Sequence, residues 1–130
     1  MHNVHENWKL ISLIHPVAVT TTATDTAIDV EEYLHDGGVI LDIGAVTGTT
    51  PTLDIEIEKT EDGTTWTTAL TFTQVTTGDK VAMGRVELGG AQQIRVKKTV
   101  GGTTPSFTIS MTLLAEVSEG GATVNSVTAT

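Results

Sequence analysis

Val46-Thr47-Gly48-Thr49-Thr50-Pro51-Thr52-Leu53-Asp54-Ile55-Glu56-Ile57 returns 54 residues later as Val100-Gly101-Gly102-Thr103-Thr104-Pro105-Ser106-Phe107-Thr108-Ile109-Ser110-Met111. Six of the twelve positions are identical. Each copy reads as a strand end, a Gly-Thr-Thr-Pro turn and a strand of period two. In the first copy Leu53, Ile55 and Ile57 alternate with Asp54, Glu56 and Glu58. In the second, Phe107, Ile109, Met111 and Leu113 alternate with Ser106, Thr108, Ser110 and Thr112. Such alternation places one face in a core and the other in solvent, as antiparallel sheets do. Two copies are too few for a solenoid or propeller. The repeat reads as two similar hairpins of a sandwich. Its alignment has one flaw: Asp42 falls opposite Val96, so the first copy carries a bulge or a carboxylate where the second has a core residue.

The rest of the chain is consistent with strands. Threonine supplies 26 of the 130 residues, and β-branched side chains favour pleated surfaces. Val39-Ile40-Leu41 is a continuous apolar run, which predicts a strand covered on both faces. Asp62-Gly63 marks a hairpin turn, and Asp36-Gly37-Gly38, Thr77-Gly78-Asp79 and Gly89-Gly90 read as further turns. Trp66, Leu70 and Phe72 fall on one face of a strand. Gln92 to Val100 places Ile94, Val96 and Val100 inward and Arg95, Lys97 and Thr99 outward. Lys98 has inward parity, which predicts a bulge or strand end there. These spacings predict an all-β, antiparallel, jelly-roll-like sandwich over residues 17–117. Residues 1–16 read as an N-terminal arm or a short first strand, and residues 118–130 as a flexible tail.

Composition narrows function. One domain of this length can bury a real core. The net charge of −9 argues against nucleic acid, whose binding needs Lys and Arg to release counterions. No apolar run approaches the roughly 20 residues of a membrane helix, and the start of the chain lacks the cationic segment of a signal peptide. There is no cysteine, hence no disulfide framework.

No motif marks catalysis, and no cofactor or metal is expected. Asp54, Glu56 and Glu58 share a strand face, about 6.6 Å between neighbours by strand rise. They read as a solvated ladder before a catalytic pair or a cation site, both of which draw groups from several segments. Arg95 and Lys97 form a ladder of opposite sign, so the two are expected to meet, within a subunit or between subunits. His2 and His5 with Glu6 make only a weak chelating set. Thr60-Glu61-Asp62-Gly63-Thr64-Thr65-Trp66 is close to the Asp-box hairpin of sialidase-type propellers but sets Asp and Gly adjacent; it reads as a turn. Trp66 is also the aromatic on which a glycan could stack. The apolar segment Trp8, Leu10, Ile11, Leu13 and Ile14 is the candidate contact with another subunit, balanced against a first strand of the chain's own sheet. As an arm, its removal with the rest of residues 1–16 should spare folding.

Several stretches resemble small structural proteins encoded in tailed-phage and prophage virion gene clusters. They are Ile28-Asp29-Val30, Gly44 to Ile55, Glu61-Asp62-Gly63-Thr64-Thr65-Trp66, Phe72-Thr73-Gln74-Val75 and Arg95 to Phe107, within roughly residues 27–115. The resemblance implies a β-sandwich without enzymatic activity, located in the virion. Its most specific implication is a capsid decoration, or cement, protein that sits as a homotrimer on the major capsid protein and bridges shell subunits. A tail, neck or tube component and a glycan-binding module are the alternatives.

Overall fold

The computed structural model describes residues 8–33 and 35–116, all in strands and their connections. The strands are β1 (Trp8–Val19), β2 (Ala23–Thr24), β3 (Ile28–Asp29), β4 (Asp36–Thr60), β5 (Trp66–Thr71), β6 (Lys80–Glu87) and β7 (Gln93–Glu116). The histidine set at residues 2–6 and the tail at 118–130 lie outside the described residues.

Two strands organise the molecule. β4 has 25 residues and β7 has 24, and they pair antiparallel from Gly38↔Leu114 to Thr60↔Gln93. The repeated Gly-Thr-Thr-Pro segments are not hairpin turns. They face each other across this ladder, with Thr49 opposite Thr103, and each is the corner where its strand passes from one layer to the other. Gly48 and Gly102 have φ of 116° and 104°, and Thr50 and Thr104 follow in the left-handed region at 48° and 46°. Each of these threonines donates its hydroxyl to the preceding carbonyl at 2.8 Å. The expected pair of hairpins is therefore one long strand pair that bends at the two facing corners, with register shifts on either side of Thr49↔Thr103.

The first layer runs β6, the N-terminal half of β4, the C-terminal half of β7, β1. The second runs β2 with β3, the N-terminal half of β7, the C-terminal half of β4, β5. Counting the halves separately, and β2 with β3 as one, gives eight segments in chain order. Their spatial orders, 6-3-8-1 and 2-7-4-5, are those of a jelly roll. The two halves are related by an approximate twofold that exchanges β4 with β7.

Period two fills the space between the layers. Val39, Leu41, Ile43, Phe107, Ile109, Met111 and Leu113 face Leu53, Ile55, Ile57, Ile94 and Val96, all buried. Gly84 of β6 brings the layers close at one edge, since a Cβ there would stand 2.7 Å from Leu70 Cδ2 of β5. The flaw at Asp42 is a bulge: Ile43 pairs with Ile109 and Val46 with Phe107, one residue more on β4. Leu41 thereby takes the place of Val96, and Asp42 points out.

Lys98 needs a different account from the one its sequence parity suggested. The ladder runs unbroken from Thr99↔Asp54 to Arg95↔Glu58, so Lys98 does face inward, at 8 % exposure. Its Nζ donates to Asp25 Oδ1 at 2.8 Å, which gives the buried ammonium a counterion. Asp36-Gly37-Gly38 begins β4 instead of turning; Gly37 is packed under Leu113 and Leu88. Residues 8–16 belong to the sheet: Trp8↔Glu116 through Val19↔Phe107 make β1 an edge strand, with bulges around Ile14 and Pro16. Ile14 is in the core, so removing residues 1–16 strips an edge strand from the fold.

Candidate functional site

The two outer faces of the sandwich differ in kind. The second layer carries the predicted charged ladders, and they meet within the chain. Glu58 lies opposite Arg95, Glu56 opposite Lys97 and Asp54 opposite Thr99. Arg95 Nε donates to Glu58 Oε1 at 2.7 Å. Thr68 donates to Glu56 at 3.3 Å, and the Gln74 amide donates to both oxygens of Asp54 at 3.2 and 3.1 Å. Cross-strand cations and amide donors thus offset the mutual repulsion of the three carboxylates.

Trp66 also stands on this face, not beside Leu70 and Phe72. A bulge at Ala69 separates Glu58↔Thr68 from Ile57↔Leu70 and reverses the parity between them. The Arg95 guanidinium lies 4.0 Å from the Trp66 ring centroid. One ring face is therefore already covered by a cation. The adjoining loop is fastened by Asp62, whose Oδ1 accepts the N–H groups of Thr64 and Thr65 at 2.8 Å and the Thr60 hydroxyl at 3.1 Å. These donors hold the Asp62 carboxyl well below the usual carboxylate range. This is a turn closed by its own aspartate.

The first layer's outer face carries most of the exposed large apolar side chains of the described residues, set among polar ones. Ile40 sits between Met83 and Thr112, and Leu114 between Gly38 and Leu10. Val81 stands next to Asp42. Exposure is 68 % at Leu10, 60 % at Val81, 74 % at Met83 and 36 % at Ile40. Of the five apolar residues of the candidate N-terminal segment, Leu10 alone is offered outward in this way. Ile11 and Ile14 face the core side opposite Leu113 and Met111, Leu13 is half-buried, and half-buried Trp8 lies opposite Glu116. Sequence reasoning passed over Val81 and Met83. The signal was present: Val81, Ala82, Met83, Gly84 and Val86 put apolar residues on both parities of one strand. Among the described residues no three His, Asp or Glu side chains are grouped to hold a metal ion, and no helix is long and apolar enough to cross a membrane.

No family model and no curated protein sequence matches the chain. Solved structures do share its fold. SPBc2 prophage-derived protein YomS superposes with a TM-score of 0.50 at 13 % identity, over 83 % of this chain and 93 % of that one. A chain of the Bacillus endospore appendages, described as disulfide-linked pili, gives 0.50 at 19 % identity, over 86 % and 90 %. A chain from infectious bursal disease virus Gx strain gives 0.52 at 11 % identity, over 85 % of this chain and 32 % of that one. At these identities the likeness is one of fold: an all-β sandwich found in prophage, pilus and virus proteins.

Proposed function

We propose that the chain is a structural protein of a tailed-phage virion, and specifically a capsid decoration protein that docks as a homotrimer on the outer shell and bridges neighbouring capsid subunits. In this reading it performs no covalent chemistry; its product is contact area that resists the pressure of packaged DNA. Interfaces of standard size, roughly 1,600 Å², supply that without catalysis.

The observation that carries the reading is the through-running pair β4 and β7. Two strands of 25 and 24 residues, hydrogen-bonded from one layer into the other, fasten the sheets together along continuous chain. Force applied to either layer is shared by both. The near end-to-end likeness of fold to a prophage-derived protein supports the same reading, as does the sequence resemblance to virion structural proteins. The test is reconstitution. Particles assembled without the chain should release their DNA at lower temperature, and adding the purified chain should restore the resistance. Particles equally robust with and without it would overturn the proposal.

A further inference from the structure

The sequence pattern of Val39-Ile40-Leu41 calls for cover on both faces, yet the described residues cover one. Val39 and Leu41 are in the core, while Ile40 opens onto the outer face with Met83, Val81 and Leu10. Directly opposed residues of antiparallel strands share a face, and every second residue returns to it. The four side chains therefore share one face across β6, β4, β7 and β1, with Leu114 lying between Leu10 and the diagonal neighbour Ile40, and with Thr112 opposite Ile40 and Asp42 opposite Val81. Gly38 lowers the middle of the face: nothing lies within 4 Å of where its Cβ would be. The face is polar at both ends. Asp42 stands beyond Ile40 at one. At the other, Asp36, Glu87 and Glu116 line an open cleft with Trp8 and His35. Arg85, a cation on this face, is engaged with Asp36 at 3.1 Å.

We propose that this face is a docking surface for a different protein, one that presents apolar side chains to Ile40, Met83, Val81 and Leu10 and a Lys or Arg to the Asp36, Glu87 and Glu116 cleft. Charge decides the occupant. A second copy laid on the face in either sense sets acid against acid, in a chain of net charge −9. With Asp36 already paired to Arg85, a basic side chain gains the Glu87 and Glu116 carboxylates and the Trp8 ring beside them. The proposal rests on the virion reading only in naming the partner as a shell protein. The charged face of the other layer, satisfied within the chain, is left to solvent.

Photo-crosslinking in particle-producing cells tests it, with p-benzoylphenylalanine placed at Met83 and, as a control, at Lys97. The Met83 position should crosslink to a peptide of another protein that carries apolar residues and a Lys or Arg, and the Lys97 position should not. Glu87→Lys with Glu116→Lys should lower that yield at least fivefold without lowering thermal stability. Crosslinks to a second copy, equal yields from both positions, or a yield indifferent to the charge reversal would overturn the docking face. A crosslinked partner of the expected chemistry that is absent from the particle would uphold the face and overturn the virion reading. Lack of a crosslink from a chain that copurifies with particles would do the reverse.

Discussion

Gly48 lies against Pro105 so closely that a Cβ on the glycine would stand 2.8 Å from the proline Cα. The relationship is reciprocal, since a Cβ on Gly102 would stand 2.9 Å from the Pro51 Cα and 2.6 Å from the Thr50 carbonyl oxygen. Each copy of the repeat thus builds the wall that forces glycine into the other. Gly48→Ala and Gly102→Ala should each cost about 2 kcal/mol or more, from positive φ and contact with unyielding backbone together. Gly90→Ala, at φ 83° in open space, should cost about 1 kcal/mol. Urea unfolding of the three variants checks this; equal costs would mean that the corners are not tightly packed.

Lys98 and Asp25 should respond unequally to removal. Asp25→Ala leaves an inward-facing ammonium without its counterion and should cost about 2–3 kcal/mol. Lys98→Met should cost less than about 1 kcal/mol. It places an apolar side chain where the twofold-related strand has Ile43, and leaves Asp25 partly open to water. Reversal of that order in chemical denaturation would contradict the account of Lys98.

Acid should loosen the β4–β5 turn. Asp62 sits below its ordinary value of 3.8 in the folded chain because Thr65, Thr64 and Thr60 donate to it. A folded value depressed below the unfolded one adds stability that is fully present above about pH 4 and is lost as pH falls through the folded value. The stability difference between the native chain and Asp62→Asn should therefore be constant from neutral pH to about pH 5 and shrink below pH 4. A difference that grows on acidification would refute the assignment.

Arg95 and Trp66 should be energetically coupled. A double-mutant cycle with Arg95→Ala and Trp66→Leu is expected to give a coupling of about 0.5–1 kcal/mol, the range for a partly exposed cation over an indole. Arg95→Lys should retain less than half of it, because the planar stack is lost. Zero coupling would mean that the guanidinium does not rest on the ring in solution.

Much of the fold was legible because β strands declare themselves by parity. Leu53, Ile55 and Ile57 and their counterparts Phe107, Ile109 and Met111 are buried as their alternation requires. What the sequence concealed was where parity changes. The bulges near Asp42 and at Ala69 each insert one residue and turn the remainder of a strand over, which is how Trp66 left the core side. Gly-Thr-Thr-Pro has the composition of a turn, and nothing local distinguishes a turn that ends a strand from a corner that bends one. Only the partner strand makes that choice, through contacts such as Gly48 with Pro105. The charged ladders were visible as complementary patterns, whereas the apolar face required knowing that β6, β4, β7 and β1 are neighbours.

The most direct measurement of the central claim is the number of copies of this chain per particle, by quantitative mass spectrometry against the major capsid protein. A decoration protein on the shell should be present in hundreds of copies, in fixed ratio to the capsid protein. A count of three, six or twelve would move it to the tail or neck, and its absence from purified particles would contradict a virion role altogether.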